Sequence, residues 1–131
     1  MRHRTKKTLI AACASLLAAA ALAQSSSFSF AGPISRIITP NGDLNNDISF
    51  IRFCNPGDSG VAGKIYTLLG GEVATMGPRV QGLDGCAAPS SFSQYLTWDG
   101  RSNGALVRSG IYVYRVQAEG RIYSGTILVV R

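Results

Sequence analysis

The stretch IYVYRVQAEGRIYSGTILVV, residues 111 to 130, contains two runs of β-forming residues around a short connection. Isoleucine, valine, tyrosine and threonine fill both runs, and these side chains are enriched in strands. Glu119 and Gly120 lie between the runs, and a two-residue connection that contains glycine is typical of a β-hairpin. The pattern therefore predicts two antiparallel strands, Ile111 to Ala118 and Arg121 to Val130.

Similar runs recur upstream, each bounded by glycine, asparagine, aspartate or proline, and none outside the N-terminal segment has helical spacing. Residues 77 to 93 carry two prolines and three glycines, so a long loop is expected there. Seven short strands predict an all-β, immunoglobulin-like antiparallel β-sandwich, with a small barrel as the alternative. The five further strands are predicted at Ser35 to Thr39, Asp47 to Phe53, Gly63 to Leu69, Glu72 to Met76 and Gln94 to Trp98.

The first 23 residues have the three parts of a secretory signal peptide. A basic segment, MRHRTKK, precedes the apolar run TLIAACASLLAAA, and Ala21-Leu22-Ala23 fits a cleavage site. The apolar run is shorter than the roughly 20 residues that a membrane-spanning helix needs. We therefore expect export to the periplasm, the cell surface or the medium, with no membrane span in the mature form. Cleavage before Cys13, as in a lipoprotein, is a less favoured alternative because few apolar residues precede it.

The domain organisation follows from this leader. Residues 1–23 are assigned to the signal peptide, residues 24–34 to a Ser-rich flexible leader and residues 35–131 to one β-sandwich domain. The 131 residues have a formal net charge of +6, but four of the thirteen basic residues lie in the signal, which leaves nine against seven acidic ones. The remaining arginines are scattered and are not interleaved with stacking aromatics, so no nucleic-acid partner is expected.

Two cysteines, Cys54 and Cys86, lie after the signal peptide. An exported chain meets an oxidising compartment, and an even number of cysteines there favours a disulfide over two buried thiols. The bridge would stabilise the domain by roughly 3–4 kcal/mol in the chain-entropy account. We therefore predict a disulfide between Cys54 and Cys86.

The segment ITPNGDLNNDISF, residues 38 to 50, has two interpretations. Asp43, Asn45 and Asp47 alternate as in the first half of a calcium-binding loop, and an acid such as Asp99 could complete the ligand set. The alternative is a tight turn in which Asn41 and Asp43 bond their own backbone. The turn is favoured because the glycine and the later glutamate of a calcium loop are missing.

Three motifs resemble a known group of domains. Residues 38 to 47 resemble the TPNGDGxND opening of gliding-motility-associated C-terminal domains and of FlgD-like immunoglobulin domains, with Leu44 at a common glycine position. The segments TWDGR and VRSGIYVYRV resemble their WDG and VPSGxYxY motifs, and YSGTILVVR resembles their closing strand. The likeness covers Ile38 to Arg131. The structural motif residues that follow from it are Trp98, Asp99, Gly100, Gly110, Tyr112 and Tyr114.

The resemblance implies a β-sandwich with a structural role. In the flagellar hook-capping protein such a domain is a scaffold part, and at the ends of surface proteins similar domains serve as type IX secretion signals or attachment modules. We therefore expect an exported, non-catalytic module that binds a protein partner at the cell surface or in a secretion or appendage assembly. A type IX sorting or attachment domain is the first alternative.

A carbohydrate-binding module that stacks sugars on Trp98 is the second alternative, although a core Trp98 followed by a turn at Asp99 and Gly100 is favoured. The single histidine, His3, lies in the signal, so the mature chain has no Ser-His-Asp triad and no histidine-bound zinc. No catalytic residue and no cofactor are expected, apart from the calcium of the less favoured interpretation.

Overall fold

In the computed structural model, the described residues are 28–86 and 92–131, and their regular structure is entirely β. These two ranges contain eleven strands and no helix. The strands are β1 (Ser29–Pro33), β2 (Ile37–Ile38), β3 (Ser49–Cys54), β4 (Val61–Thr67), β5 (Glu72–Thr75), β6 (Val80–Gly85), β7 (Phe92–Trp98), β8 (Arg101–Ser102), β9 (Ala105–Leu106), β10 (Gly110–Ala118) and β11 (Arg121–Val129).

The strands form two main sheets and one small hairpin. The four-stranded sheet has the order β1-β3-β7-β6, the five-stranded sheet has the order β2-β11-β10-β4-β5, and β8 pairs with β9. Adjacent strands are antiparallel except β2, which runs parallel to β11. This is the ABED and GFC order of an immunoglobulin sandwich, with β5 added beside strand C and β2 beside strand G. The predicted all-β sandwich is confirmed, with more strands than the seven expected.

The core lies between the two sheets and follows from the alternation of side chains along each strand. On β3, Ile51 and Phe53 point inward, and on β10 Tyr114 and Val116 do so, with Ala118 at the strand end. Full burial of one such large side chain stabilises the fold by roughly 1.5–3 kcal/mol. The buried cluster is Ile38, Ile51, Phe53, Ile65, Met76, Leu96, Trp98, Tyr114, Val116, Ile127 and Val129.

The last hairpin agrees with its prediction. Each residue of β10 from Gly110 to Ala118 pairs with one of β11 from Arg121 to Val129. Glu119 and Gly120 form the connection with φ values of 49° and 71°, as a two-residue hairpin turn requires. The structure also settles which face of β10 lies inward, which alternation did not, because both faces begin with apolar residues.

The flexible leader predicted at residues 24–34 is wrong from Ser29 to Pro33, which form β1 at the edge of the four-stranded sheet. The Phe30 ring stacks on Tyr123 with centroids 4.6 Å apart, and the Phe28 ring lies 5.5 Å from that of Phe53. Aromatic burial therefore orders a segment whose serine, glycine and proline content suggested a linker. The signal peptide and residues 24–27 lie outside the described residues.

The long loop predicted at residues 77–93 is wrong from Val80 to Gly85, which form β6, and residues 87–91 lie outside the described residues. Gly82 makes this strand feasible, because a Cβ there would clash with the Tyr95 ring of β7. Gly82, one of the glycines that suggested a loop, therefore permits close packing of β6 against β7.

The predicted disulfide is confirmed between Cys54, at the end of β3, and Cys86, directly after β6. Strand β7 lies between β3 and β6, so the bridge joins two strands of the four-stranded sheet across a third. In antibody domains the corresponding bridge connects the two sheets. Here it ties the edge strand β6 to the centre of its own sheet.

Candidate binding surface

Residues 39 to 47, here called the turn loop, are organised by Asp47. Its Oδ1 accepts hydrogen bonds from the backbone N–H groups of Asn41 (2.9 Å) and Gly42 (3.1 Å), and its Oδ2 accepts one from Leu44 (2.7 Å). Partial desolvation raises the pKa of Asp47, but the three N–H donors outweigh it and hold this pKa below its ordinary value. The carboxylate therefore acts as the centre of a tight turn.

Asp43 supports the same turn from its other side. Its N–H donates to Asn41 Oδ1 (3.0 Å), its Oδ1 accepts from the Asn45 N–H (2.8 Å), and its Oδ2 accepts from Asn41 Nδ2 (3.2 Å). The first two are the side-chain-to-backbone bonds of consecutive Asx turns, and the third joins two side chains. The hydrogen bonds within residues 41 to 47 are therefore those that the tight-turn interpretation predicts.

Asp43 and Asp47, two of the three residues of the calcium interpretation, are already used inside the turn loop. Calcium takes six to eight oxygen ligands, whereas the loop offers two carboxylates, and all four of their oxygens already accept N–H donors. Asp99 accepts the backbone N–H of Arg101 (3.1 Å) in a different turn. Within residues 28–86 and 92–131, no three His, Cys, Asp or Glu side chains lie close enough to hold a metal. The calcium interpretation, with Asp43, Asn45 and Asp47 as ligands, stays the less favoured prediction.

Trp98 is a core residue, 3% exposed, and its ring meets Tyr112 edge-on with centroids 5.5 Å apart. Its Nε1–H donates to the Arg101 carbonyl (3.0 Å), so the polar end of the ring is also satisfied. Gly100 turns the chain at φ 72°, and a Cβ there would lie 3.1 Å from Pro40. The favoured interpretation of this motif is confirmed, and Trp98 offers no face on which a sugar could stack.

Tyr112 forms a feature that the sequence reasoning did not identify. It lies two residues after Gly110, near the start of β10, and its hydroxyl donates to the Arg108 carbonyl (2.7 Å), four residues upstream. A tyrosine near the start of strand F with this bond is the tyrosine corner of immunoglobulin-type sandwiches. Tyr114 is buried instead, which raises the pKa of its phenol, and Arg36 offsets part of that rise.

The outer face of the five-stranded sheet carries large aliphatic side chains on four neighbouring strands or strand ends. Ile111 pairs with Leu128, and Leu128 pairs with Ile37 on β2. Leu68 directly follows Thr67, the residue that pairs with Tyr112. These four side chains, here called the aliphatic row, are 37–65% exposed. A row of this kind differs from the singly scattered exposed apolar residues that are ordinary on surfaces, and it is therefore a candidate interaction site.

Two depressions lie on the same face, and Leu68 of the aliphatic row lines the larger of them. The larger has a volume of about 490 Å³ and the smaller one of about 280 Å³, and Tyr66 and Arg115 line both. Leu68 and Val113 line only the larger, while Lys64 lines the smaller. The face is therefore uneven enough to accept side chains of a partner.

A second apolar region lies beside the turn loop. Ile34, Leu44, Ile48 and Phe50 line a depression of about 220 Å³ together with Asp47. Leu44 is 93% exposed and has φ 66°. Within the turn loop the exposed residues are polar apart from Gly42 and Leu44, so most of this apolar region comes from residues that flank the loop.

Comparisons with models of known protein families, with curated proteins and with solved structures give no match to this chain. The resemblance to gliding-motility-associated and FlgD-like domains therefore stays a prediction from motifs. In the part of the chain that the structure describes, no helix is long and apolar enough to cross a membrane.

Proposed function

We propose that this chain is an exported, non-catalytic immunoglobulin-like domain that works by binding another protein through the outer face of its five-stranded sheet. The observation that carries the proposal is the aliphatic row, Leu68, Ile111, Leu128 and Ile37, which leaves four large apolar side chains open to water. Covering such a patch removes apolar area from water, which is the main favourable contribution to protein association. The nearby depressions supply the shape that a specific contact requires.

Export is the second part of the proposal. The leader MRHRTKK-TLIAACASLLAAA has the form of a signal peptide, and the Cys54–Cys86 disulfide fits an oxidising compartment. Mass spectrometry of the protein from the cells that make it should find a chain that begins near Gln24 and carries the oxidised cysteine pair. A protein that retains Met1 with free thiols in the cytoplasm would contradict export.

The binding role is tested with two matched substitutions. Ile111→Asp places a charge in the aliphatic row, and Val80→Asp places the same charge on β6 of the four-stranded sheet, where Val80 is also exposed. Both sites lie outside the core, so both variants should melt near the wild-type temperature. In quantitative capture from extracts of the cells that make the protein, a partner should be retained by the wild type and by Val80→Asp.

Ile111→Asp should lower the recovery of that partner by about tenfold or more, the usual effect of a charge in a desolvated contact. Equal recovery by all three proteins would contradict the assignment to this face. The absence of any protein specifically retained by the wild type would contradict the binding role itself.

A further inference from the structure

We infer that the partner presents an acidic side chain among apolar ones, and that Arg115 receives it at the centre of the five-stranded sheet. This inference rests on the proposed function and specifies its partner. Arg115 lies in the middle of β10 and points outward, beside Lys64 of β4 and Ser124 of β11. It is the cation nearest the middle of the face that carries the aliphatic row.

The charge of Arg115 has no counterion among the side chains that the structure describes. Lys64, its neighbour in register, forms an ion pair with Glu72 at 3.1 Å. Arg115 forms no ion pair with any residue in the ranges 28–86 and 92–131, whereas Arg79 and Arg101 are paired with Asp58 and Asp99. The centre of the outer face therefore carries a net positive charge next to exposed aliphatic groups.

The shape of the face directs a partner side chain to Arg115. This residue lines both the larger and the smaller depression, so it forms the boundary between them. A side chain that enters either depression approaches the guanidinium, whose planar group binds a carboxylate through two parallel hydrogen bonds. Arginine is also among the residues enriched at the energetic centre of protein interfaces.

A second copy of this chain is a poor occupant of the same face. A two-fold symmetric contact places the same patch on both partners, so a central residue meets its own copy. Two Arg115 side chains would then face each other. The acid described on this face is Glu72, and it already binds Lys64. Like charges at a contact disfavour association. The charge pattern therefore selects a different protein, one with a carboxylate at this position.

The test uses two synthetic octapeptides, one alternating leucine with glutamate and one alternating leucine with lysine. Each is titrated into the processed, isotope-labelled chain while backbone amide signals are followed by NMR. The acidic peptide should shift amides of β4, β10 and β11 and should bind at least about tenfold more tightly than the basic one. Its affinity should fall with added salt, as expected for a charge-assisted contact.

Charge-reversed variants sharpen the result. Arg115→Glu should abolish the preference for the acidic peptide and favour the basic one, while Arg121→Glu, an exposed cation at the turn end of β11, should leave the preference unchanged. Equal binding of both peptides, or shifts confined to the four-stranded sheet, would overturn the inference. Shifts of the same amides by anionic phospholipid vesicles and not by either peptide would overturn it in favour of a lipid surface.

The peptide result is separable from the proposed function. If neither peptide binds while Ile111→Asp still loses a cellular partner, the protein-binding role stands and the acidic chemistry of the partner is wrong. If the acidic peptide binds at Arg115 while no cellular protein depends on Ile111, the chemistry stands and the binding role is wrong.

Discussion

Leu44 combines two unfavourable features in the turn loop, a side chain that is 93% exposed and a backbone at φ 66°. An L residue in this conformation costs roughly 1–2 kcal/mol, which glycine avoids. Strain of this kind tends to persist where the side chain has a use. The three N–H bonds to Asp47 explain how the loop maintains it.

Leu44→Gly should therefore stabilise the domain. The relief of strain is offset in part by the greater freedom of glycine in the unfolded chain, so we expect a net gain of about 0.5–1 kcal/mol. Leu44→Ala is the matched control, because it removes the exposed side chain but keeps a Cβ at positive φ, and it should leave stability nearly unchanged. Both are measured by urea unfolding. A glycine variant no more stable than the alanine variant would contradict the strain argument.

Asp47 makes stability depend on pH in a defined direction. Its pKa in the folded protein lies below its ordinary value, because three backbone N–H groups bind the carboxylate. A group with a lowered folded pKa contributes stability that is fully present above its unfolded pKa, near 3.9, and is lost as the pH falls through the folded pKa.

We therefore expect the free energy of unfolding of the wild type to decrease as the pH is lowered from about 5 to about 2. Asp47→Asn, which cannot carry this charge, should start less stable near neutral pH and show a smaller decrease over the same range. Chemical unfolding at a series of pH values measures both. An identical pH slope in the two proteins would contradict the role of this carboxylate.

Strand β1, at the edge of the four-stranded sheet, is held in place by the packing of two phenylalanine rings, although its amino-acid composition is that of a linker. Phe30 stacks on Tyr123 of β11, and Phe28 packs beside Phe53 of β3, so the segment contacts both sheets. A free leader would make neither contact.

Phe30→Ala should lower the free energy of unfolding by about 2 kcal/mol, less than for a fully buried phenylalanine because the residue is only partly buried. Ile34→Ala, an exposed residue directly after β1, is the control and should change stability by less than about 0.5 kcal/mol. Thermal and urea unfolding measure both. Equal, small effects would indicate that β1 does not contribute to the fold in solution.

Strands rich in β-branched and aromatic residues could be predicted from the sequence, and those shaped by tertiary contacts could not. β10 and β11 were predicted from their β-forming residues and from the Glu119-Gly120 turn between them. The observed ranges of β3, β4, β5 and β7 also lie close to the predicted ones. β6 has the sequence VQGLDG, whose glycines lower strand propensity, and it forms because Gly82 fits against Tyr95. Local propensity does not contain that contact.

The candidate site could likewise be predicted from the sequence only in part. The turn loop was found from its acids, because Asx-turn chemistry is local. The aliphatic row was not found, because it joins residues on β2, β10 and β11 and the end of β4 that become neighbours only through sheet order. Ile37, Ile111 and Leu128 look in sequence like core residues, since strand alternation alone does not say which face is covered.

At the scale of the whole molecule, the two sheets have different outer faces. The four-stranded sheet carries the Cys54–Cys86 bridge and the paired Arg79, which binds Asp58 at 3.1 Å and Gln94 at 3.2 Å. The five-stranded sheet carries the aliphatic row and an unpaired Arg115. The disulfide thus lies in the four-stranded sheet alone, whereas ion pairs occur at both sheets, Arg79 with Asp58 at one and Lys64 with Glu72 at the other.

The disulfide accordingly serves the stability of the four-stranded sheet. Cys54 and Cys86 are 32 residues apart, and closing such a loop stabilises the folded state by about 3–4 kcal/mol in the chain-entropy account. Replacing both cysteines with serine should lower the free energy of unfolding by about this amount. A reducing agent should destabilise the wild type and leave the double variant unchanged.

The loss of stability in the double cysteine variant should also differ between parts of the molecule. β6 is an edge strand that pairs only with β7, and its register shifts between Gln81 and Gly85, so the bridge is its second attachment. Amides of β6 should therefore lose hydrogen-exchange protection in the double variant well before those of β5, the edge strand of the other sheet. A uniform loss in β5 and β6 would show instead that the bridge acts on the unfolded chain alone. Binding of the acidic peptide at Arg115 should persist in the double variant while it is folded, since the five-stranded sheet does not contain the bridge.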